Sequence, residues 1–259
     1  MDLGLKDKVV VITGGGTGIG FAAALEFARE GARVAICGRT TQKLKDAAAQ
    51  FEQLGFDLYT KTCDVTLSNE VKAFADAVTK DLGLIDIWVN NAGSNQIKSL
   101  VEYDDEEMEM LIGINLKSFI ICSNIAAKAM KGRGGVIINA SSFSALIPNA
   151  GRGVYSACKS AVLNLTRTYA AELAAEHIRV VAYIPGQIVT ALTIKVLQSI
   201  GKEKLISNIP MRRLGTPEDL AKPIVFLASD AAAYINGCAL EVSGAKFCVQ
   251  NPGYSWENN

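Results

Sequence analysis

Tyr155-Ser156-Ala157-Cys158-Lys159 is the part of this 259-residue chain that most directly suggests chemistry. A spacing of four places the phenol and the ammonium on one face of a helix. A free phenol ionises near pH ~10, too high for easy proton exchange at neutral pH. A neighbouring ammonium favours phenolate and lowers that value, so the pair can act as a general acid/base. Tyr-x-x-x-Lys also recurs by chance, and an ordinary surface pair is the plainer reading. Ser142 precedes the tyrosine, at the predicted end of a strand, where ligands meet parallel sheets. Its hydroxyl can polarise a carbonyl. Asn115 falls inside a predicted long helix, although Asn is a mediocre helix former. That misfit suggests a task such as relaying a water to Lys159, or else a buried amide satisfied by backbone.

A second constellation is Thr13-Gly14-Gly15-Gly16-Thr17-Gly18-Ile19-Gly20. It lies directly between an apolar strand pattern and an apolar-periodic helix. Glycines there allow a tight turn, close approach of backbone to a pyrophosphate, and helix–strand packing. Free amides and the helix dipole then hold the phosphates. The next strand ends Ile36-Cys37-Gly38-Arg39-Thr40, without the acid that receives a ribose 2′-OH in NAD sites. Arg39 can pair with a 2′-phosphate instead, which points to NADP(H). Asp64, in Cys63-Asp64-Val65, can accept from an adenine amino group, or simply form a turn.

The elements that must position these residues alternate in type. Strands are predicted at Lys8–Thr13, Arg33–Cys37, Asp57–Thr62, Ile85–Val89, Gly135–Asn139, Ile178–Ile184 and Cys238–Val242. Helices are predicted through Phe21–Phe27, at Lys43–Leu54, Asn69–Leu82, Asp105–Met130 and Val154–Glu176, and after Leu214. The last starts well, with Thr216 as N-cap, Pro217 in the first turn, and Glu218 and Asp219 at the positive end. Such alternation predicts a parallel sheet covered by helices on both faces. Thr190–Leu214 is the least regular stretch. Its Leu192, Ile194, Val196, Leu197 and Ile200 suit a mobile cover.

Composition narrows the function. Twenty-six Lys and Arg balance twenty-six Asp and Glu, so no footprint for nucleic acid or an anionic membrane exists. With 49% apolar and 20% charged residues, the chain is ordinary globular material. His177 is the one histidine, which excludes a His-rich metal site and leaves no metal expected. At the predicted end of a helix, His177 reads as structural. Six cysteines form no Cys-x-x-Cys pair. No signal sequence and no apolar run of about 18 residues is visible, so a reducing cytoplasm is expected and no membrane contact. With no linker or composition break, residues 1–259 read as one domain.

In order and spacing these segments resemble the short-chain dehydrogenase/reductase family over essentially the whole chain. The matching signatures are Thr13–Gly20, Asp64, Asn90-Asn91-Ala92-Gly93, Asn115, Ser142, Tyr155 and Lys159. Pro185-Gly186 with Thr190 and Arg213–Asp219 also match. The resemblance implies an α/β, single-domain Rossmann-type doubly wound sheet of about seven parallel strands with helices on both faces. It implies an oxidoreductase that interconverts a carbonyl and a secondary alcohol. Tyr155 would exchange the proton and Ser142 orient the carbonyl. Lys159 would hold the nicotinamide ribose and lower the tyrosine pKa, and Asn115 would complete a water relay. NADP(H) would be held by Gly14, Thr17, Gly18, Ile19, Gly20, Arg39, Thr40, Asp64, Val65, Asn91, Ala92, Gly93, Tyr155, Lys159, Pro185, Gly186, Ile188 and Thr190. Family members usually form tetramers through the two long helices, so a homotetramer or homodimer is expected.

Two positions depart from the family pattern. Val181 replaces a common asparagine, and Val242-Ser243-Gly244-Ala245 replaces Val-Asp-Gly-Gly. A tail, Lys246–Asn259, carries Phe247, Tyr254 and Trp256 and suggests packing on a neighbouring subunit or near its pocket. Pocket walls are expected at Ser94–Gln96, Phe143–Ile147, Gln187 and Thr190–Ile200. They admit a 3-oxoacyl thioester, a hydroxysteroid or bile acid, or a polyol or keto-sugar. A non-catalytic NADP(H)-binding protein is the competing class, and the intact Tyr, Lys and Ser set argues against it. An epimerase needs a larger second lobe than the residues after Gly186 supply.

Overall fold

The structure is a computed structural model that describes residues 2–190, 193–194, 201–246 and 248–257. The chain opens with β1 (Val9–Thr13), whose Val-Val-Val-Ile-Thr is buried throughout. A run without polar alternation demands cover on both faces, which only a central strand of a helix-flanked sheet receives. There follow α1 (Gly18–Arg29), β2 (Arg33–Gly38), α2 (Thr41–Gln53), β3 (Tyr59–Thr62), α3 (Ser68–Asp81) and β4 (Ile85–Asn90). Next come α4 (Asp105–Ile112), α5 (Ser118–Met130), β5 (Gly135–Ala140), α6 (Gly153–Glu172) and β6 (Ile178–Pro185). The chain continues through α7 (Lys202–Ser207), α8 (Pro217–Ala228), β7 (Ala239–Val242) and α9 (Tyr254–Glu257).

The strands form one sheet in the order β3-β2-β1-β4-β5-β6-β7, all neighbours parallel. Val10 and Ile12 face a core built with Phe27 of α1, Phe51 of α2 and Ile224 of α8. Val9 and Val11 face Phe74 of α3 and Met130 of α5 across the sheet. The doubly wound sheet expected from the sequence is therefore present. Thr13 pairs with Cys37, and Asn90 with Asn139, so the carboxyl ends of β1, β2, β4 and β5 form one edge. The chain order reverses between β1 and β4, which opens a crevice at that edge.

Four local features differ from expectation. The Asp105–Met130 helix contains a π-turn at Gly113–Lys117, centred on Asn115. The helix starting near Val154 ends at Glu172, followed by a 3-10 turn and by His177 at φ 57°, a left-handed end rather than a cationic last turn. A short helix, α7, occupies part of the stretch expected to be irregular, with Leu205 and Ile209 buried. Ile194 is exposed, while Leu192, Lys195, Val196, Leu197, Ile200 and Phe247 lie outside the described residues. The tail docks on its own chain. Trp256 Nε1 donates to the Pro210 carbonyl at 2.9 Å, and the Arg212 guanidinium lies 5.7 Å from the Trp256 ring.

By length and composition Asp105–Met130 would suffice to cross a membrane. The apolar run is explained by packing, since Leu111, Phe119, Cys122, Ala126 and Met130 are buried. The start of α8 follows the sequence closely. Asp219 accepts from the Thr216 amide at 2.8 Å and takes a two-pronged Arg213 contact at 2.5 and 2.8 Å. The Arg213 hydrogen bonds hold its carboxyl at about 2.

Both departures from the family pattern have local accounts. Val181 is wholly buried in the α1/α8 core and brings no polar demand. Ala245 has φ 66°, a left-handed conformation that costs an alanine about 1–2 kcal/mol and a glycine almost nothing.

Candidate active site

The crevice is held open by a fixed set of bonds between β1 and β4. Thr13 Oγ1 accepts from the Asn91 and Ala92 amides at 3.0 and 3.1 Å. Asn91 Nδ2 donates back to the Thr13 and Gly14 carbonyls at 3.1 and 3.2 Å. Tyr183 Oη donates to Asn91 Oδ1 at 2.9 Å from β6. A cleft of about 430 Å³ results. Its wall includes the expected Gly14, Thr17, Gly18, Ile19, Arg39, Thr40, Val65, Asn91, Ala92, Gly93, Tyr155, Lys159, Pro185 and Thr190. Lys43, Cys63, Ile114, Ser141 and Tyr183 also line it, none of them assigned to the site from the sequence.

The loop fits a dinucleotide in a testable way. Gly14 has φ 66°, and a Cβ there would stand 2.9 Å from the Ala92 Cα. A Cβ on Gly20 would reach the Gly14 carbonyl at 2.5 Å, so α1 could not approach β1. Any larger residue closes the cradle that lets backbone amides meet phosphate. NADP(H) would lie along this wall. Gly20 supports it by packing, without lining the cleft.

Two cations mark the β2 end. Arg39 is 63% exposed and stands 4.0 Å from Asp64, which faces a neighbouring groove. The two residues were expected to serve different parts of the cofactor, yet here they pair. An exposed pair this long is worth little, so Arg39 can turn to a ligand at small cost, whereas Asp64 is held by the Thr66 amide and hydroxyl at 2.9 and 2.7 Å. Lys43, in the first turn of α2, adds a second cation to the cleft. Among the described residues, no acidic side chain lines it.

Farther along, the Ser142 hydroxyl stands close enough to the Tyr155 phenol to lower its pKa. Ser142 Oγ also accepts from the Ser144 amide at 3.1 Å, which fixes its rotamer. The adjacent Ser141 instead donates to the Lys159 carbonyl at 3.0 Å and braces α6. Geometry thus separates the two serines as the family spacing did. Lys159 is buried, donates to the Ala140 carbonyl at 2.9 Å and lies 4.3 Å from the Phe119 ring centroid. Its Nζ is 5.8 Å from the Tyr155 ring centroid.

One expectation needs correction. Burial raises the Tyr155 phenol above its ordinary value, and the Ser142 hydroxyl and the Arg152 charge only partly oppose it. The lowering expected from Lys159 is not what prevails. Burial holds Lys159 itself at about 7, so much of it is neutral at physiological pH and exerts little pull. A consequence follows for stability. The unfolded chain keeps Lys159 protonated up to about 10.4, so between pH ~7 and that value it binds more protons than the fold. Stability from this site therefore rises with pH across that window. With no cofactor added, Lys159→Met should flatten the rise in urea midpoint between about pH 7 and pH 9. Parallel profiles for the two proteins would contradict the buried, depressed lysine.

Asn115 is wholly buried in its π-turn. Its Oδ1 accepts from the Ser94 amide at 3.2 Å, and its Nδ2 donates to the Ser94 and Leu111 carbonyls at 2.8 and 3.0 Å. The side chain therefore ties the loop after β4 to the helix. A Cβ on Gly93 would lie 3.1 Å from Asn115 Oδ1 and 3.7 Å from Lys159 Nζ, so the three residues converge. Gly186 packs so closely against Ser243 that a Cβ there would stand 2.6 Å from the Ser243 Cα. Ile188 is buried against Gly215 through a backbone bridge, and its carbonyl accepts from Thr193 Oγ1 at 2.6 Å. Neither its side chain nor Gly186 lines the cleft. Among the described residues no group of His, Cys, Asp or Glu could hold a metal.

Comparison with known proteins agrees with this architecture. A family profile described as enoyl-(acyl carrier protein) reductase matches residues 14–244. The 3alpha-hydroxysteroid dehydrogenase of Mediterraneibacter gnavus is 38% identical over 93% of this chain and 97% of its own. The 3-oxoacyl-(acyl-carrier-protein) reductase of Thermotoga maritima is 36% identical over 93% and 98%. A short-chain type dehydrogenase/reductase from Mycobacterium marinum superposes with a TM-score of 0.89 at 34% identity, covering 95% of this chain and 97% of that one. With the sheet, the glycine cradle and the Ser-Tyr-Lys cluster in place, the chain belongs to the short-chain dehydrogenase/reductase family, oxidoreductases that act on an alcohol or carbonyl.

Proposed function

We propose that the protein is an NADP(H)-dependent carbonyl reductase of the 3-oxoacyl thioester type. The observation that carries the reading is the Ser142–Tyr155 hydroxyl pair, set beside a cleft whose far end holds Arg39 and Lys43 and, among the described residues, no acid. The bound cofactor would supply the hydride. Gly14, Thr17, Gly18, Ile19 and Gly20 would hold its pyrophosphate, and Arg39, Thr40 and Lys43 its 2′-phosphate. Asp64 and Val65 would meet the adenine. Asn91, Ala92 and Gly93 would border the ribose, and Pro185 and Thr190 the carboxamide, with Gly186 and the buried Ile188 shaping the backbone behind them. Ser142 donates to the substrate carbonyl and orients it. Tyr155 delivers a proton to the same oxygen, and its raised pKa keeps that proton on the phenol at neutral pH. In the oxidative direction Tyr155 takes the proton back. Lys159 holds the ribose and, when protonated, favours the phenolate. Asn115 completes a relay that returns a proton through water.

The substrate class rests on the cleft mouth. Ile97, Leu100, Val101, Leu146 and Ile147 are all exposed. The 97–101 loop is fastened to the start of α6, where the Lys98 amide donates to the Gly151 carbonyl at 2.9 Å and Leu100 lies beside Gly153. An apolar rim at this place suits an acyl chain. A hydroxysteroid is the second reading, favoured by the same rim. A polyol suits it least, although the Asn95 and Gln187 carbonyl oxygens are buried without partners. NADPH oxidation against a 3-oxoacyl thioester, a ketosteroid and a keto-sugar tests the assignment. The thioester should give the highest kcat/KM, and a preference of about tenfold or more for either other class would replace it.

Met110 and Ile112 expose apolar surface on the helix at 105–130. They support assembly of a homotetramer, or a homodimer, through that helix and α6. Free thiols at every cysteine fit a reducing cytoplasm.

A further inference from the structure

The catalytic scheme leaves one cluster of nucleophilic groups unused. Cys37 is the penultimate residue of β2, fully buried behind the crevice, and its carbonyl accepts from the Gly14 amide at 2.8 Å. Cys63 follows directly on β3 and forms part of the cleft wall. Cys37 stands opposite Lys61 in the parallel ladder, and Cys63 lies one pleat farther on the same face. The two side chains are thus diagonal neighbours on adjacent strands, buried together in one core cluster. Both cysteines are free.

We propose that Cys37 and Cys63 form a peroxide-sensitive dithiol beneath the cofactor cleft, which closes to a disulfide when the cleft is open and is shielded when a nucleotide fills it. Cys63 is the attacking group. Its proximity to Cys37 lowers the Cys63 pKa and so favours the Cys63 thiolate, whereas the Cys37 pKa is raised. The Cys63 thiolate attacks a peroxide oxygen, the O–O bond breaks, and a sulfenic acid and one water form once the leaving oxygen is protonated. Cys37 sulfur then attacks the sulfenic sulfur, expelling the second water and leaving the disulfide. Two thiols lose two hydrogens and two electrons to one hydrogen peroxide, which becomes two waters.

A disulfide brings sulfurs to about 2 Å, closer than two unbonded thiols can approach, so backbone must move. β2 is pinned between β1 and β3, while β3 ends at Thr62. The segment that yields is therefore Cys63-Asp64-Val65, which borders the nucleotide cleft. Oxidation should lower cofactor affinity. Cys122 packs in the same core but is buried on α5, with its thiol held well above the usual range by burial.

The test treats reduced protein with hydrogen peroxide, with and without NADP⁺, and maps peptides after alkylation in denaturant. A Cys37–Cys63 cross-link, lighter by two hydrogens, should form as activity falls, and dithiothreitol should restore both. NADP⁺ at about ten times its Kd should slow the bridge about tenfold. C37S should resist reversible inactivation relative to its own untreated activity. Both thiols remaining alkylatable while activity falls, or a Cys63–Cys122 bridge, overturns the dithiol. Bridging at an unchanged rate in NADP⁺, with NADP⁺ binding confirmed by titration, overturns the coupling to the cleft. The cross-link itself does not depend on the assigned substrate or cofactor preference, so its failure is distinct from theirs.

Discussion

Tyr155→Phe is expected to lower kcat by about 10²–10⁴, the range typical of a lost general acid. The substitution removes one hydroxyl and keeps the ring that packs at the start of α6. Lys159 keeps its bond to the Ala140 carbonyl and its place over Phe119, so the fold and the cofactor wall survive. What disappears is the proton donor, which stands beside the Ser142 hydroxyl. The KM for NADPH should therefore change little, because the phenol's special contribution arises as charge develops on the carbonyl oxygen. Ser142→Ala should act on the same step, and the double variant should lose less than the product of the single losses, since both hydroxyls serve one oxygen. Unchanged turnover by Tyr155→Phe would remove the phenol from the mechanism.

Arg39→Asp is the second large effect. It deletes a cation from the β2 end of the cleft and places there the kind of acid that receives a ribose 2′-hydroxyl. The new carboxylate would also repel a 2′-phosphate. Exposure screens both terms, so the kcat/KM ratio for NADPH over NADH should fall by about 10–100-fold, or roughly 1.4–2.8 kcal/mol. Lys43→Ala should move the ratio in the same direction by less, because no repulsion is added. A ratio unmoved by Arg39→Asp would mean that Arg39 belongs to Asp64 alone.

Much of this site can be read in the sequence because its demands are local. The glycine loop needs a positive φ at Gly14 and a missing side chain at Gly20, and both are written as residue identity. The strands are legible because β1 is buried throughout and carries an apolar run, as does β5 with Val136, Ile137 and Ile138. Asn115 was visible as a poor helix residue, and the structure supplies the reason, a π-turn whose side chain captures the Ser94 backbone. What stayed hidden depends on distant elements. Lys43 looks like any helix lysine until α2 is placed beside the glycine loop. Tyr183 reads as one more apolar strand residue until β6 brings its hydroxyl to Asn91. The tyrosine pKa was misjudged for a related reason. Spacing showed that a lysine was near, whereas the burial that holds that lysine at about 7 is a property of the assembled core. The aromatic tail suggested packing on a neighbouring subunit or near its pocket, whereas Trp256 meets Pro210 and Arg212 of the same chain.

The central claim is that a hydride and a proton reach one carbonyl at the Ser142–Tyr155 pair. It is tested most directly with NADPH deuterated at the transferred position of the nicotinamide ring. Wild-type protein and a 3-oxoacyl thioester should give an alcohol that carries the deuterium on the carbinol carbon, and Tyr155→Phe should form that product about 10²–10⁴ times more slowly. Product without deuterium at the carbinol carbon, or equal rates of labelled product from the two proteins, would contradict the account.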